Sequence, residues 1–246
     1  MALQHTALVF GDVIPTGLHF PFQLAGGLTF PIMAFFLVEG YRHTSNVNRY
    51  MARLFLWGVI SQVPYMMAFG RLLHSPTPNV MFTLFLSLLG IVMYDRLRNL
   101  GLFVFLFAVM CGVSIYFDWG VIGPVVVLIF HIIDTENLRR ILPPIAAAVY
   151  NLFFILLGIM ISLNPEPGFT DMSSYSEMAY TGLGVSLAAI MFPVGSLLVV
   201  PLILRYNGER GRSMKYLFYG FYPLHLFILA LAAYAAGVGD LRLFVR

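Results

Sequence analysis

The stretch FPIMAFFLVEGYRHTSNVNRYMARLFLWGVISQVPY, Phe30 to Tyr65, decides the fold class. Two apolar runs flank a short polar junction that carries Glu39, Arg42, His43, Arg49 and Arg53. Each run is long enough to read as a membrane-crossing helix, for which about 20 mainly apolar residues are needed. Glu39 interrupts the first run, and a carboxylate in that position needs a partner, a water-filled cavity or a proton. The reading therefore starts from a membrane hairpin with a charged turn and a candidate ligand or catalytic residue beside it.

The rest of the chain agrees with that start. Hydrophobic residues make up 60% of the 246 and charged residues only 10%, and mean hydropathy is +0.87. A soluble domain of this size carries far more surface charge. The apolar runs are continuous and do not alternate, which argues against a β-barrel. The pattern predicts an all-α, polytopic transmembrane bundle of about 8–9 helices in a single domain over 1–246. Nine apolar segments are read at roughly 1–15, 22–41, 49–70, 79–95, 100–117, 119–133, 141–163, 179–204 and 215–236. The first is short for a span, so the reading is a short or tilted helix, or a chain that begins further upstream.

Charge distribution gives the orientation. With the 42–48 junction placed in the cytoplasm, 11 of the 14 Lys and Arg residues fall on that side. The positive-inside rule makes this a strong signal. The net charge of +3 is explained by topology, and no nucleic-acid partner is expected. Membrane lipids are the expected surroundings. The single cysteine, Cys111, lies in an apolar run and reads as a packing residue. No Cys/His pair has metal-site spacing, so no metal is expected, and there is no phosphate-binding loop or dinucleotide fingerprint.

Several residues stand out as carriers of chemistry. Glu39 and His43 have i,i+4 spacing and would share a helical face, where a carboxylate can orient an imidazole. Arg49 and Arg53 repeat that spacing and, with Arg42, form a candidate clamp for an anionic, phosphate-bearing ligand. His225 sits about ten residues into the last apolar run and His5 inside the first, so both are candidate general bases. Tyr219 and Tyr222 are three apart and could share the face of His225. Asn79 reads as an N-cap and Thr83 as a hydroxyl bonded to its own helix, with substrate contact as the alternative role. No nucleophile elbow is present, so direct transfer through a general base is favoured over a covalent acyl-enzyme.

The order of these residues resembles the TraX family, known for the conjugative pilin acetylation protein. The resemblance rests on Phe30-Pro31, Leu37-Val38-Glu39-Gly40, His43-Thr44, Tyr50, Arg53-Leu54 and Ser61-Gln62-Val63-Pro64. It continues through Asn79-Val80-Met81-Phe82-Thr83-Leu84 and through Lys215 to His225. It implies an integral protein of the bacterial inner membrane that transfers an acyl group. The implied donor is acetyl-CoA or another acyl-CoA, used as a co-substrate with no tightly bound cofactor. The implied acceptor is pilin or another envelope component. On this reading His225, His5, Glu39 and His43 are catalytic, Arg42, Arg49 and Arg53 hold the CoA phosphates, and Asn79, Thr83, Tyr219 and Tyr222 meet substrate. A non-enzymatic pilus or envelope assembly protein and a transporter or lipid-binding module are the competing readings. Two positions depart from the family pattern: Gln4 precedes His5 where an Asp is usual, and Gly27 stands where an Arg is common.

Overall fold

The fold is seen in a computed structural model that describes residues 1–11, 13–69, 77–163, 187–209 and 215–238. Within them the chain is helical: α1 (Ala2–Val9), α2 (Thr16–Arg42), α3 (Val47–Ala68), α4 (Val80–Arg96), α5 (Leu100–Ser114), α6 (Ile122–Ile132), α7 (Glu136–Leu163), α8 (Met191–Leu204) and α9 (Lys215–Ala236). Four helical stretches are long and apolar enough to cross a membrane, namely Thr16–Arg42, Glu136–Met160, Leu187–Leu204 and Tyr216–Ala236. Large apolar side chains such as Phe105, Phe153, Leu198 and Phe218 point outwards and are exposed, as expected where lipid is the solvent. The protein is a multi-pass, all-α membrane bundle. The expectation of 8–9 spans is finer than this, because α1 has only 8 residues and α6 only 11.

Helix boundaries depart from the sequence reading where proline lies inside a helix. Helix α2 begins at Thr16, before Pro21, and α7 begins at Glu136, before Pro143 and Pro144. Proline costs a helix one hydrogen bond, and in a membrane the freed carbonyl must find another donor. Pro31 shows how. It removes the amide that would have bonded the carbonyl of Gly27, and Ser196 of α8 donates its hydroxyl to that carbonyl at 3.1 Å. The part of the 179–204 segment before 187 lies outside the described residues.

Helix α2 is the hub, with α1, α4, α6, α7 and α8 packed on it. Its most extensive contact is with α8. There Gly27 and Gly195 let two backbones meet. A Cβ on Gly27 would strike the Phe192 carbonyl oxygen, and one on Gly195 would strike that of Leu24. Small residues are how membrane helices approach this closely. The contact also explains the departure at Gly27: the space that an arginine side chain would need is filled by the α8 backbone. On the other side of the molecule α9 packs on α3, and α1 bridges α2 and α9.

At the end of the bundle rich in arginine, polar side chains tie the helices together. Asp95 of α4 accepts from Tyr41 of α2 at 2.6 Å and pairs with His131 of α6 at 2.8 Å. Within α7, Glu136 pairs with Arg140.

Replacing Gly195 by valine forces the backbones of α2 and α8 apart. Overpacking of this kind costs about 1–3 kcal/mol. The Gly195→Val protein is therefore expected to melt several degrees below the wild type in detergent, with its helical circular dichroism retained at low temperature.

Candidate functional site

The site is built on α1. This short helix places Gln4 and His5 on consecutive positions, and the end of the Gln4 side chain lies over Gly26 of α2. A Cβ on Gly26 would meet the Gln4 side chain at 2.5 Å. His5 is thereby pressed between α2 and α9, 7% exposed. Its ring lies nearly parallel to that of His225, at 12°, with centroids 5.1 Å apart. Phe69 and Tyr222 approach it edge-on at 5.4 and 6.4 Å. Two histidines that lie 220 residues apart in sequence are thus in direct contact.

Their hydrogen bonds have a direction. His225 Nδ1 lies 2.8 Å from the carbonyl oxygen of Phe221. A carbonyl only accepts, so Nδ1 carries the proton and, in the neutral ring, Nε2 is an acceptor. His5 Nδ1 lies 2.9 Å from that Nε2 and must donate to it. The proton of neutral His5 is then on Nδ1, and its Nε2 keeps a lone pair. This is the arrangement of a base held in one tautomer by a second residue.

His5 lines a cavity of about 780 Å³, in the size range of small-molecule sites. Polar residues line it from several helices and one turn: Gln4, Thr29, Asp118, Tyr150 and Asn151. Asp118 is brought there by the turn between α5 and α6. In that turn Trp119 has φ 69° and Gly120 φ 43°, a conformation that L side chains rarely adopt. The turn is held from several sides. The Asp118 amide donates to the Pro78 carbonyl at 2.9 Å, and Thr83 Oγ1 donates to the Asp118 carbonyl. The Trp119 ring stacks on Phe30 at 4.2 Å. Such over-determination is what keeps a strained residue in place.

A second cavity of about 660 Å³ adjoins the first and shares Met1, Thr29 and Met33 with it. It runs between α2 and α9 towards Tyr50 and Tyr219.

The residues expected to act together divide into two groups. His5 and His225 converge, with Tyr222 buried against both rings. Glu39 and His43 are elsewhere. Glu39 lies thirteen residues beyond Gly26 on α2, about 20 Å along the axis at 1.5 Å per residue. Its carboxylate faces Arg42 at 3.7 Å and Arg139 of α7 at 3.6 Å. His43 is exposed and donates from Nδ1 to the Glu39 backbone carbonyl at 2.8 Å, which closes the last turn of α2. The imidazole thus meets the backbone of Glu39 and not its carboxylate, and the expectation of a Glu39–His43 pair is corrected. The helix ends at Arg42, which breaks the i,i+4 face.

The three arginines also diverge. Arg42 turns to Glu39 and to the His131 carbonyl, at 3.4 Å. Arg53 lies over the Tyr50 ring at 5.6 Å. The Arg49 amide is capped by Asn46 at 2.9 Å, while its side chain points out and is exposed. Asn79 and Thr83 are spent on structure. Asn79 accepts from the Met81 amide at 3.0 Å and donates to the Gly58 carbonyl at 2.8 Å. Thr83 bonds the 118 carbonyl on the α5–α6 turn and not its own helix. Tyr219 and Tyr222 line the second cavity, where Tyr219 stacks on Trp57 at 5.9 Å.

Sequence reasoning missed Arg139, Asp118 and Asn151. Asn151 carried a readable signal, being a polar residue in the middle of an apolar run, as Glu39 is.

The chain was compared with known proteins. The family described as TraX protein matches residues 1–233. The probable fimbrial assembly protein FimC, serogroup H1, of Dichelobacter nodosus is 30% identical over 246 residues, covering 94% of this chain and 90% of that protein. No solved structure matches.

Because its hydrogen bonds run within and between α3 and α4, Asn79 is expected to matter for stability. Asn79→Ala leaves buried partners unpaired, at about 1–3 kcal/mol each. The variant should lose thermal stability with its helical content retained at low temperature, as measured by melting followed by circular dichroism in detergent.

Proposed function

The chain belongs to the TraX family, and on that premise we propose that it transfers an acyl group from a CoA thioester to an amine or hydroxyl inside the membrane. The observation that carries the reading is the ordered His5–His225–Phe221 chain beside a polar cavity. His5 is the general base and His225 the residue that positions it. As the acceptor attacks the thioester carbonyl, its N or O forms a bond to that carbon and its proton passes to His5 Nε2. Collapse of the tetrahedral intermediate breaks the C–S bond, and the thiolate leaves and takes up the proton. Asp118 lines the cavity and favours the approach of a cationic amine, which releases one proton to water and then attacks as the neutral amine. Gln4, next to His5, supplies a hydrogen-bonding group without charge.

In this account the arginine-rich end faces the cytoplasm, where CoA is found, and the polar cavity opens in the opposite half of the bundle. Arg42 belongs to the Glu39–Arg139 cluster and has a bracing role. The acceptor is proposed to be a fimbrial or pilin-like subunit, a reading supported by the printed name of the Dichelobacter relative. An assembly function follows from the same chemistry if acylation prepares that subunit.

The test is CoA release by purified protein in nanodiscs, supplied with acetyl-CoA and peptides that carry a free N-terminal amine. Loss of a general base costs about 10²–10⁴-fold in rate. His5→Ala is expected to fall in that range. His225→Phe keeps the ring packing but removes the acceptor for His5 Nδ1, so it should lower kcat more than it raises KM. Turnover undiminished in His5→Ala would refute the assignment.

A further inference from the structure

The second cavity is unlike the first. It is walled by Leu28, Ile32, Leu54, Met81 and Leu84, with no acidic or basic side chain among the described residues that line it. A site for a polar acceptor or for phosphate is not built this way, because the buried polar groups of such a ligand would be left unpaired.

Two further observations define its occupant. At one end it shares Thr29 and Met33 with the cavity that His5 lines. Along one side it runs under the seam between α2 and α9, where Phe36, Phe218 and Phe221 line it while being 52%, 72% and 46% exposed. Residues that line a cavity and also face the lipid mark a lateral opening. Among the described helices α1 bridges α2 and α9, at the Met1–Thr29 end of the cavity, and the three phenylalanines line the stretch beyond it. From Thr29 to Leu37 the wall spans eight residues of α2, about 12 Å at 1.5 Å per residue. An acetyl group would use only the end beside Thr29.

We propose that this cavity holds an extended aliphatic acyl chain, with its carbonyl end beside Thr29 and His5 and its tail towards Leu54 and Tyr50. The proposal deepens the acyl-transfer reading and rests on it for the role of the carbonyl end. It names the substrate class as a thioester or ester with a chain much longer than acetyl. The chain enters between α2 and α9 from the lipid side, so the apolar tail never crosses water. Specificity for chain length follows from the length of the wall: a tail that comes from lipid gains little from desolvation, so the preference rests on the packing contacts that each methylene makes inside the cavity.

The test uses the full chain in nanodiscs, photolabelled with decanoic acid that carries a terminal diazirine, and peptide mass spectrometry locates the adducts. Expected adducts fall on the peptides around Leu54 and Leu84. Excess unlabelled decanoic acid suppresses them, and the same concentration of butyric acid does not. Leu84→Trp, or Leu54→Trp if the first fails to fold, reduces labelling at least tenfold. His5→Ala keeps it. Adducts spread over outward residues such as Phe105 and Phe153, with no competition by unlabelled decanoic acid, overturn the proposal. A second arm separates this failure from failure of the function itself. Competed labelling without turnover of decanoyl-CoA or acetyl-CoA supports the chain site and refutes the transferase. Turnover of acetyl-CoA alone, without competed labelling, refutes the chain site and leaves the transferase standing.

Discussion

A backbone carbonyl can only accept a hydrogen bond, and that restriction at Phe221 orders the whole candidate site. It puts the proton of His225 on Nδ1, so Nε2 accepts from His5. The lone pair of His5 Nε2 is what remains for a molecule in the cavity. No carboxylate is needed to hold this tautomer. Gln4 stands where the TraX family pattern has Asp, and here the positioning falls to a second histidine and a main-chain oxygen. The consequence is an ordered pair of neutral imidazoles that needs no charged side chain to fix its protons.

The scaffold serves that contact. Helix α1 is too short to be stable by itself, and it is held because Gly26 gives it a seat on α2 while α9 covers its other side. Helix α2 is in turn fixed by the backbone contact at Gly27 and Gly195. There the carbonyl released by Pro31 is taken up by Ser196. Pro31, Gly26, Gly27, Gly195 and Ser196 thus act as one unit. The proline frees a group, the glycines bring the helices close, and the serine satisfies what was freed. At the other end of α2, Glu39 with Arg42 and Arg139, and Asp95 with Tyr41 and His131, pin the arginine-rich face.

Much of this was legible in the sequence, and the illegible part has a common cause. Continuous apolar runs announced the membrane helices, and the interior proline residues misplaced only their ends. Glu39 was legible as a carboxylate that needs a partner, a water-filled cavity or a proton, and was grouped with the catalytic candidates, whereas the structure pairs it with Arg42 and Arg139. One of its partners, Arg139, lies a hundred residues further on, where no local spacing rule reaches. His5 and His225 were each readable as buried polar residues, but their contact depends on how α1 seats on Gly26. Asn79 was legible as the N-cap of α4, and it is that cap, but its bond to the Gly58 carbonyl and the Thr83 bond to the Asp118 carbonyl reach other elements, where no local pattern points. The two cavities were invisible for the same reason: a gap between α2 and α9 is a property of packing and has no signature in either helix.

The central claim is that α1 and α9 meet at His5 and His225. It is tested most directly by cysteine cross-linking in the membrane. In a Cys111→Ser background, His5→Cys and His225→Cys are introduced together and treated with a short homobifunctional thiol reagent. With ring centroids at 5.1 Å, an intramolecular cross-link should form in high yield and survive proteolysis between the two helices as a joined pair of peptides. Efficient cross-linking of His225→Cys to Glu39→Cys, with none to His5→Cys, would contradict the account.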